Sequence, residues 1–378
     1  MSKNYFHAIA TLVGAIVGVG IFAIPYVVSE SGILMLFIFL PILGFVQYYF
    51  HKLYAEIILS TKTKHRVPGY VGKYYGPRHK KVALIIVLIA VNLSILAYII
   101  FGGIFLHQLL SPAFGSDVFA YATILFIIEA LIVFFGLKLI ASVEFAMMAF
   151  LFLVIGLIIW RGWGEINISN YHLFDWQYAI LPYGPIFFAI DGGAAIPEVC
   201  KLLANKKADI KSAIFWGTFI SVIITLIFAV FIIGITGNNT SPDTLSGLSF
   251  IFNNGVIKIT LVFGLLAIFT SLLITMQSAR EIYRWDMGIN NNLSWLLAGA
   301  IPYFLYVIGF NNTTKVVGLA GAIIGSLIGI IYILLALSIK KKAEQKSIIK
   351  NKINKGVAYG LALFLILGLI CELWEVFN

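Results

Sequence analysis

Gly14-Ala15-Ile16-Val17-Gly18-Val19-Gly20, followed by Ile21-Phe22-Ala23-Ile24-Pro25, lies in the middle of the first long apolar segment. Lipid offers no hydrogen bonds. Backbone that leaves helical geometry there is tolerated only where protein or a water-filled cavity satisfies its freed N–H and C=O groups. Three glycines and a proline at this depth therefore point to a broken helix and a binding site. The inference sharpens when a second span is broken at the matching place half a chain later. Pro182-Tyr183-Gly184-Pro185 through Asp191-Gly192-Gly193-Ala194-Ala195-Ile196-Pro197 is such a segment. In each, small residues are followed about one turn later by proline: Gly20 by Pro25, Gly193 by Pro197.

The rest of the chain is built for lipid. Of 378 residues, 61% are hydrophobic and only 11% charged, far from soluble composition. The longest polar runs, residues 61–81 and 340–355, are about one helix long and leave no room for a separate soluble domain. The first apolar segment starts at about His7 without a small-residue cleavage signature, so it reads as a retained span. Cys200 and Cys371 fall near the ends of different spans on opposite faces, which predicts neither a disulfide nor a metal cluster.

A net charge of +10 would suit nucleic acid, but its distribution says otherwise. Seven Lys and Arg lie from Lys62 to Lys81, four from Lys201 to Lys211 and seven from Lys340 to Lys355. Lys3, Lys138, Arg280 and Arg284 join the same set, while the alternate loops hold only Arg161 and Lys315. This alternation is the positive-inside pattern. It predicts a multi-pass protein of the cell's inner (plasma) membrane with a cytoplasmic N-terminus and an outer C-terminus.

A span needs roughly 20 apolar residues. That template gives eleven, at residues 8–28, 33–53, 82–110, 118–135, 141–160, 178–199, 210–235, 248–279, 293–308, 316–337 and 357–377. Five spans per repeat invert the second copy, so the breaks in spans 1 and 6 would meet head to tail. The expected organisation is a first five-helix repeat over residues 1–176, an inverted second over 177–338, and a basic loop with an additional helix over 339–378. Within the first basic loop, Lys64 to Pro77 mixes aromatic and basic residues and predicts a short interfacial helix.

These stretches carry a resemblance. Gly14 to Pro25, the Val67-Pro68-Gly69-Tyr70 to Tyr75-Gly76 loop and Phe187-Phe188-Ala189 to Pro197-Glu198 resemble the hydroxy and aromatic amino-acid permeases of the amino acid, polyamine and organocation superfamily. Gly14 to Gly20 and Ala267-Ile268-Phe269-Thr270-Ser271 through Met276-Gln277 are also similar to the sodium-coupled leucine transporter. The resemblance implies an all-α, five-plus-five inverted-repeat fold with discontinuous helices 1 and 6, and alternating access.

An amino acid brings a carboxylate, an ammonium and a side chain. The N-terminal end of an outer half-helix offers N–H groups around Gly18, Val19, Gly20 and Ile21 to the carboxylate. Unwound carbonyls near Ala15, Ile16 and Phe187 to Ala189 suit the ammonium. The plainer alternative is that Gly14 and Gly18 form only a close-packing face. Phe187, Phe188, Ile190 and Tyr98 are the expected walls, and the small residues from Gly192 to Ala195 leave space for a large neutral or aromatic side chain. For an ion, the resemblance pairs the hydroxyls of Thr270 and Ser271 with the carbonyls of Gly14, Val17 and Ala267; the alternative is hydroxyls bonded back to their own helix. Proton-coupled relatives can place a lysine at this spot from helix 5. The middle of this helix 5 has none, which favours sodium over a proton.

Asp191 is an ionisable group at membrane depth and functional by default. It could ligate a cation, hold the substrate ammonium or carry a coupling proton; Glu129 and Glu144 are rival proton carriers. Arg280, Glu281, Arg284 and Asp286 are expected to form an inner gate with Lys3. The six histidines lack metal-pair spacing, and neither a nucleophile with its base nor a P-loop is present, so no enzyme activity and no cofactor beyond the coupling ion are expected. The sequence thus predicts a cation-coupled symporter for a neutral amino acid, with the lipid bilayer and the substrate as its partners and no nucleic acid. A channel and an amino-acid sensor with a transporter fold are the rival classes.

Overall fold

The computed structural model describes residues 3–135, 140–203, 207–252, 255–345 and 355–377, and every regular element among them is helical. The first apolar segment is two helices, α1 (Lys3–Ile16) and α2 (Gly20–Ser31), bent by 50° at their junction. Val17 N–H still bonds Val13 O at 2.8 Å, but Gly18 N–H turns back to Ile16 O at 2.9 Å. The carbonyl of Gly14 thereby loses the donor four residues on that an unbroken helix would supply. α2 restarts with a tight Phe22 N–H to Val19 O bond of 3.0 Å.

α3 (Ile33–Leu59), α4 (Val67–Tyr75), α5 (Pro77–Phe114), α6 (Val118–Phe135) and α7 (Ile140–Gly162) follow. α4 is the short helix expected in the basic loop. Pro68 sits in its first turn, where a missing N–H costs nothing, and Gly76, at φ 92°, ends it. The sixth apolar segment is broken as expected: α8 (Tyr183–Ala189) and α9 (Ile196–Leu202) are separated by residues 190–192 and a 3₁₀ turn at Gly193–Ala195. Pro197, in the first turn of α9, starts the helix instead of breaking it.

α10 (Lys207–Thr236), α11 (Leu245–Ser249), α12 (Gly255–Glu281), α13 (Asn291–Val307), α14 (Thr313–Ala322), α15 (Gly329–Lys342) and α16 (Lys355–Phe377) complete the chain. The span expected from residue 248 starts differently. The backbone turns at Thr244, at φ 63°, into the five-residue α11, and α12 begins only at Gly255. Among the described residues, seven helices are long and apolar enough to cross a membrane, or eight with α1 and α2 taken as one span.

α14 lies flush on α8. A Cβ at Gly321 would run into Gly184 O, and one at Gly325 into the Phe187 ring, so small residues set how closely the backbones approach. Two π-helical turns interrupt regular winding, Ile282–Asp286 after α12 and Ile323–Ile328 between α14 and α15. From α16, Glu372 reaches across to accept the buried Gly184 N–H at 3.0 Å, tying the last helix to the start of α8.

Candidate functional site

The two breaks touch. A Cβ on Gly20 would lie 2.5 Å from the Ala189 Cα and 3.0 Å from its N, so the restart of α2 is pressed against the end of α8 with only a hydrogen between. Gly18 is equally tight against α12, 2.6 Å from the Ser271 Oγ by the same measure, with Tyr98 of α5 next nearest. Around this junction is a central cavity lined by Ala15, Tyr98, Phe188, Asp191 and Ser271 among the expected residues. Both π-helical turns face it, through Ile282 and through Ile324 and Ile328, in keeping with the habit of such turns to occur at functional sites.

Other expected residues lie elsewhere. Phe187 is fully buried, its ring edge-on to Tyr183 at 5.1 Å and packed on Gly325, so it fills the α8–α14 contact and Phe188 alone of the pair reaches the cavity. Ile190, Ile21 and Val19 are buried in the core, and Ile16 packs where a Cβ on Gly192 would be, 2.8 Å away. Thr270 Oγ1 donates back to Ala267 O at 3.1 Å, as in the back-bonded alternative. Ser271 does not: its Oγ is buried and without a hydrogen-bond partner among the described residues. Glu129 is wholly buried, both carboxylate oxygens are equally unpartnered, and it lines neither cavity described here. The side chains of Glu144 and Lys3 lie outside what the structure describes.

A buried polar network that the sequence did not reveal mounts the second break. Gln47 Nε2 donates to Asp191 Oδ1 at 2.7 Å, and Gly193 N–H donates to the same oxygen at 3.0 Å. Gly192 N–H donates to His51 Nε2 at 3.0 Å, so that nitrogen is the acceptor and the proton of the neutral ring sits on Nδ1, 3.0 Å from Thr218 Oγ1. α3 and α10 thus hold the irregular backbone of residues 191–193, the support that broken helices in lipid require. The available signal was the spacing of Gln47 and His51, four apart on a largely apolar helix.

The basic end is crossed by a strap different from the expected one. Glu281 pairs with Arg66, at 2.6 Å from NH2 and 2.8 Å from Nε, while Arg66 NH1 also donates to Ala194 O of the second break at 3.2 Å. Asp286 pairs with His65 at 3.4 Å. Arg280 leaves the group altogether, donating to Val133 O at 2.6 Å and Asn291 at 3.0 Å. Sequence alone could not choose among these cations, because the loop carrying Arg66 is placed only by the folding of α4. Burial works against the Arg66 charge, but Glu281 and Tyr54 outweigh it and hold the guanidinium above its ordinary pKa. Arg66, Ala194 and Ile274 line both the central cavity and a vestibule of about 780 Å³ that continues among Lys64, His65 and Lys201. Phe22 of α2 stands edge-on to Phe105 of α5 at 5.1 Å and to Phe228 of α10 at 5.6 Å. The central cavity thus continues past Arg66 into the vestibule at the basic end.

The tryptophan/tyrosine permease family matches residues 1–374. Among solved structures, the chain is similar to MhsT in complex with L-phenylalanine, with 17% identity, a TM-score of 0.72, and coverage of 100% of this chain and 99% of that one. It is also similar to the Eremococcus coleocola manganese transporter in complex with an aromatic bis-isothiourea substituted compound, with 12% identity, a TM-score of 0.61, and coverage of 98% and 94%. At such identities the likeness establishes a common fold, the leucine-transporter-like arrangement. No curated protein matches the chain.

Proposed function

Since the chain belongs to the tryptophan/tyrosine permease family, and so is a multi-pass membrane amino-acid transporter, we propose that it is a secondary active symporter. It imports a large or aromatic neutral amino acid by alternating access, driven by a sodium gradient. The observation that carries this is the contact of the two breaks at Gly20 and Ala189 beside a cavity lined by Phe188, Tyr98 and Asp191. The N–H groups at the start of α2 precede its first intrahelical bonds and are available to a carboxylate. The unwound carbonyls near Ala15, Ile16 and Phe187 to Ala189 are the ligands proposed beside them for the ammonium, and of these residues Ala15 and Phe188 line the cavity. That MhsT was captured with phenylalanine supports an aromatic substrate.

Sodium is favoured by the oxygens at the α1–α12 contact. The Gly14 carbonyl has lost its helical donor, Ser271 Oγ is buried without a partner beside Gly18, and Thr270 Oγ1 keeps lone pairs while donating to Ala267 O. With the carbonyls of Val17 and Ala267 they make a set of hard oxygens of the kind that small cations prefer. In the full proposal the chain has eleven spans in two inverted repeats, residues 1–176 and 177–338, and a final helix in 339–378. It lies in the plasma membrane with its basic loops and N-terminus inside. The test is uptake of labelled aromatic amino acids into proteoliposomes under a sodium gradient, a proton gradient or neither. Accumulation driven by sodium and lost in Thr270→Ala/Ser271→Ala supports the proposal. Accumulation driven by protons alone and indifferent to those changes would remove sodium, and binding without any accumulation would favour a sensor.

A further inference from the structure

The carboxylate of Asp191 is only half engaged. Both of its hydrogen bonds, from Gln47 Nε2 and Gly193 N–H, end on Oδ1. Oδ2 accepts none from the described residues, and Asp191 lines the central cavity. No cationic side chain among the described residues pairs with it. Arg66, which shares the cavity, is taken up by Glu281 and Ala194 O, and Asp191 belongs to none of the ion pairs among the described residues. The mount is firm, because the neighbouring Gly192 N–H is anchored on His51, which is in turn bonded to Thr218. The second break therefore presents a fixed acceptor oxygen, on an acid with no counter-charge, to whatever occupies the cavity.

An α-ammonium brings a full positive charge and three N–H donors, and charge-assisted bonds of this kind are about twice as strong as neutral ones. We propose that Asp191 Oδ2 is the counter-charge for the substrate's α-ammonium group, so that the site recognises an aromatic primary amine even when it lacks a carboxylate. This rests on the aromatic amino-acid assignment above and gives it a charge balance. The zwitterion places its carboxylate on the N–H groups of α2 and its ammonium on Asp191. One negative charge is left in the occupied site, which a co-bound cation cancels. Coupling to a cation then follows from the site's own electrostatics.

The experiment is competition against labelled tryptophan on the purified full-length protein, with three unlabelled probes. These are tryptamine, which has the ammonium but no carboxylate; indole-3-propionate, which has the carboxylate but no ammonium; and phenylalanine, which has both but no donor on its ring. Wild type is compared with Asp191→Asn, which keeps an acceptor for Gln47 and Gly193 and removes the charge. Tryptamine is expected to compete within about tenfold of tryptophan and indole-3-propionate about a hundredfold more weakly, while Asp191→Asn weakens tryptophan and phenylalanine alike by about tenfold or more. Indole-3-propionate competing better than tryptamine would overturn the proposal, and this arm needs no variant. So would an Asp191→Asn protein that loses tryptophan but keeps phenylalanine, since the carboxylate would then read the ring donor. An unchanged Asp191→Asn protein would reduce Asp191 to a mount for the break. A wild type that binds no aromatic amino acid at all would fail the underlying assignment instead, and this proposal with it.

Discussion

At Gly20 there is no room for a side chain. Its missing Cβ would meet the Ala189 Cα at 2.5 Å, and backbone cannot step aside as a flexible side chain can. Gly20→Ala is therefore expected to push the two breaks apart and to lower aromatic amino-acid binding more than tenfold, read by equilibrium binding, with the helical circular dichroism unchanged. Ser271 is a gentler case, since Ser271→Ala removes one buried oxygen without a partner among the described residues and keeps the Cβ beside Gly18. The expected result is a rise of about tenfold in the sodium concentration for half-maximal uptake, about 1.4 kcal/mol, with little change in thermal stability. Single residues were legible where the chemistry was anomalous for lipid: Gly18, Gly20 and Asp191 stand out in any apolar span. Gln47, His51 and Thr218 were not, because what gives them meaning is contact across 144 and 141 positions from Gln47 and His51 to the second break, and across 167 from His51 to Thr218. Phe187 and Phe188 looked equivalent in sequence. Adjacent positions on a helix face different ways, and α8 turns one to α14 and the other to the cavity.

Among the elements, the two broken helices were readable because glycine acts locally, and the fold places the breaks at Gly18 and at Gly192–Gly193, while Pro25 lies inside α2 and Pro197 starts α9. α11 was missed for a different reason: Asn253-Asn254-Gly255, a polar turn signal inside residues 248–279, reads as part of one span, and the turn at Thr244 that starts α11 lies before that span. The strap from α4 to α12 is a tertiary feature with a clear test. Arg66 and Glu281 are only 11% and 16% exposed, and Arg66 also holds Ala194 O at the neck of the vestibule. Arg66→Gln should loosen that neck. Cys200 lines the vestibule but is only 3% exposed, so its alkylation in a Cys371→Ser background should quicken several-fold; an unchanged rate would show that the strap does not govern access. At the opposite side α16 is pinned by Glu372. Glu372→Ala leaves the Gly184 N–H unsatisfied in a buried place and should cost about 1–3 kcal/mol, seen as a lower thermal midpoint in detergent, whereas Glu372→Gln keeps an acceptor and loses less.

For the whole molecule, composition and the alternation of basic loops pointed to the membrane and to an orientation, and the paired breaks pointed to the fold that the solved transporters share. A sequence pattern could not place the continuation of the cavity into the vestibule, since that depends on how Arg66 bridges Glu281 and Ala194. Passage between the cavity and the vestibule requires the strap to give way. The central claim is that the two breaks together form one amino-acid site. A cryo-electron-microscopy structure determined with sodium and a saturating aromatic amino acid tests it most directly. The account predicts ligand density between the start of α2 and residues 188–191, with the carboxylate on the N–H groups near Gly20 and the ammonium against Asp191. Density confined to the vestibule beyond Arg66, with the junction of the breaks bare, would contradict it.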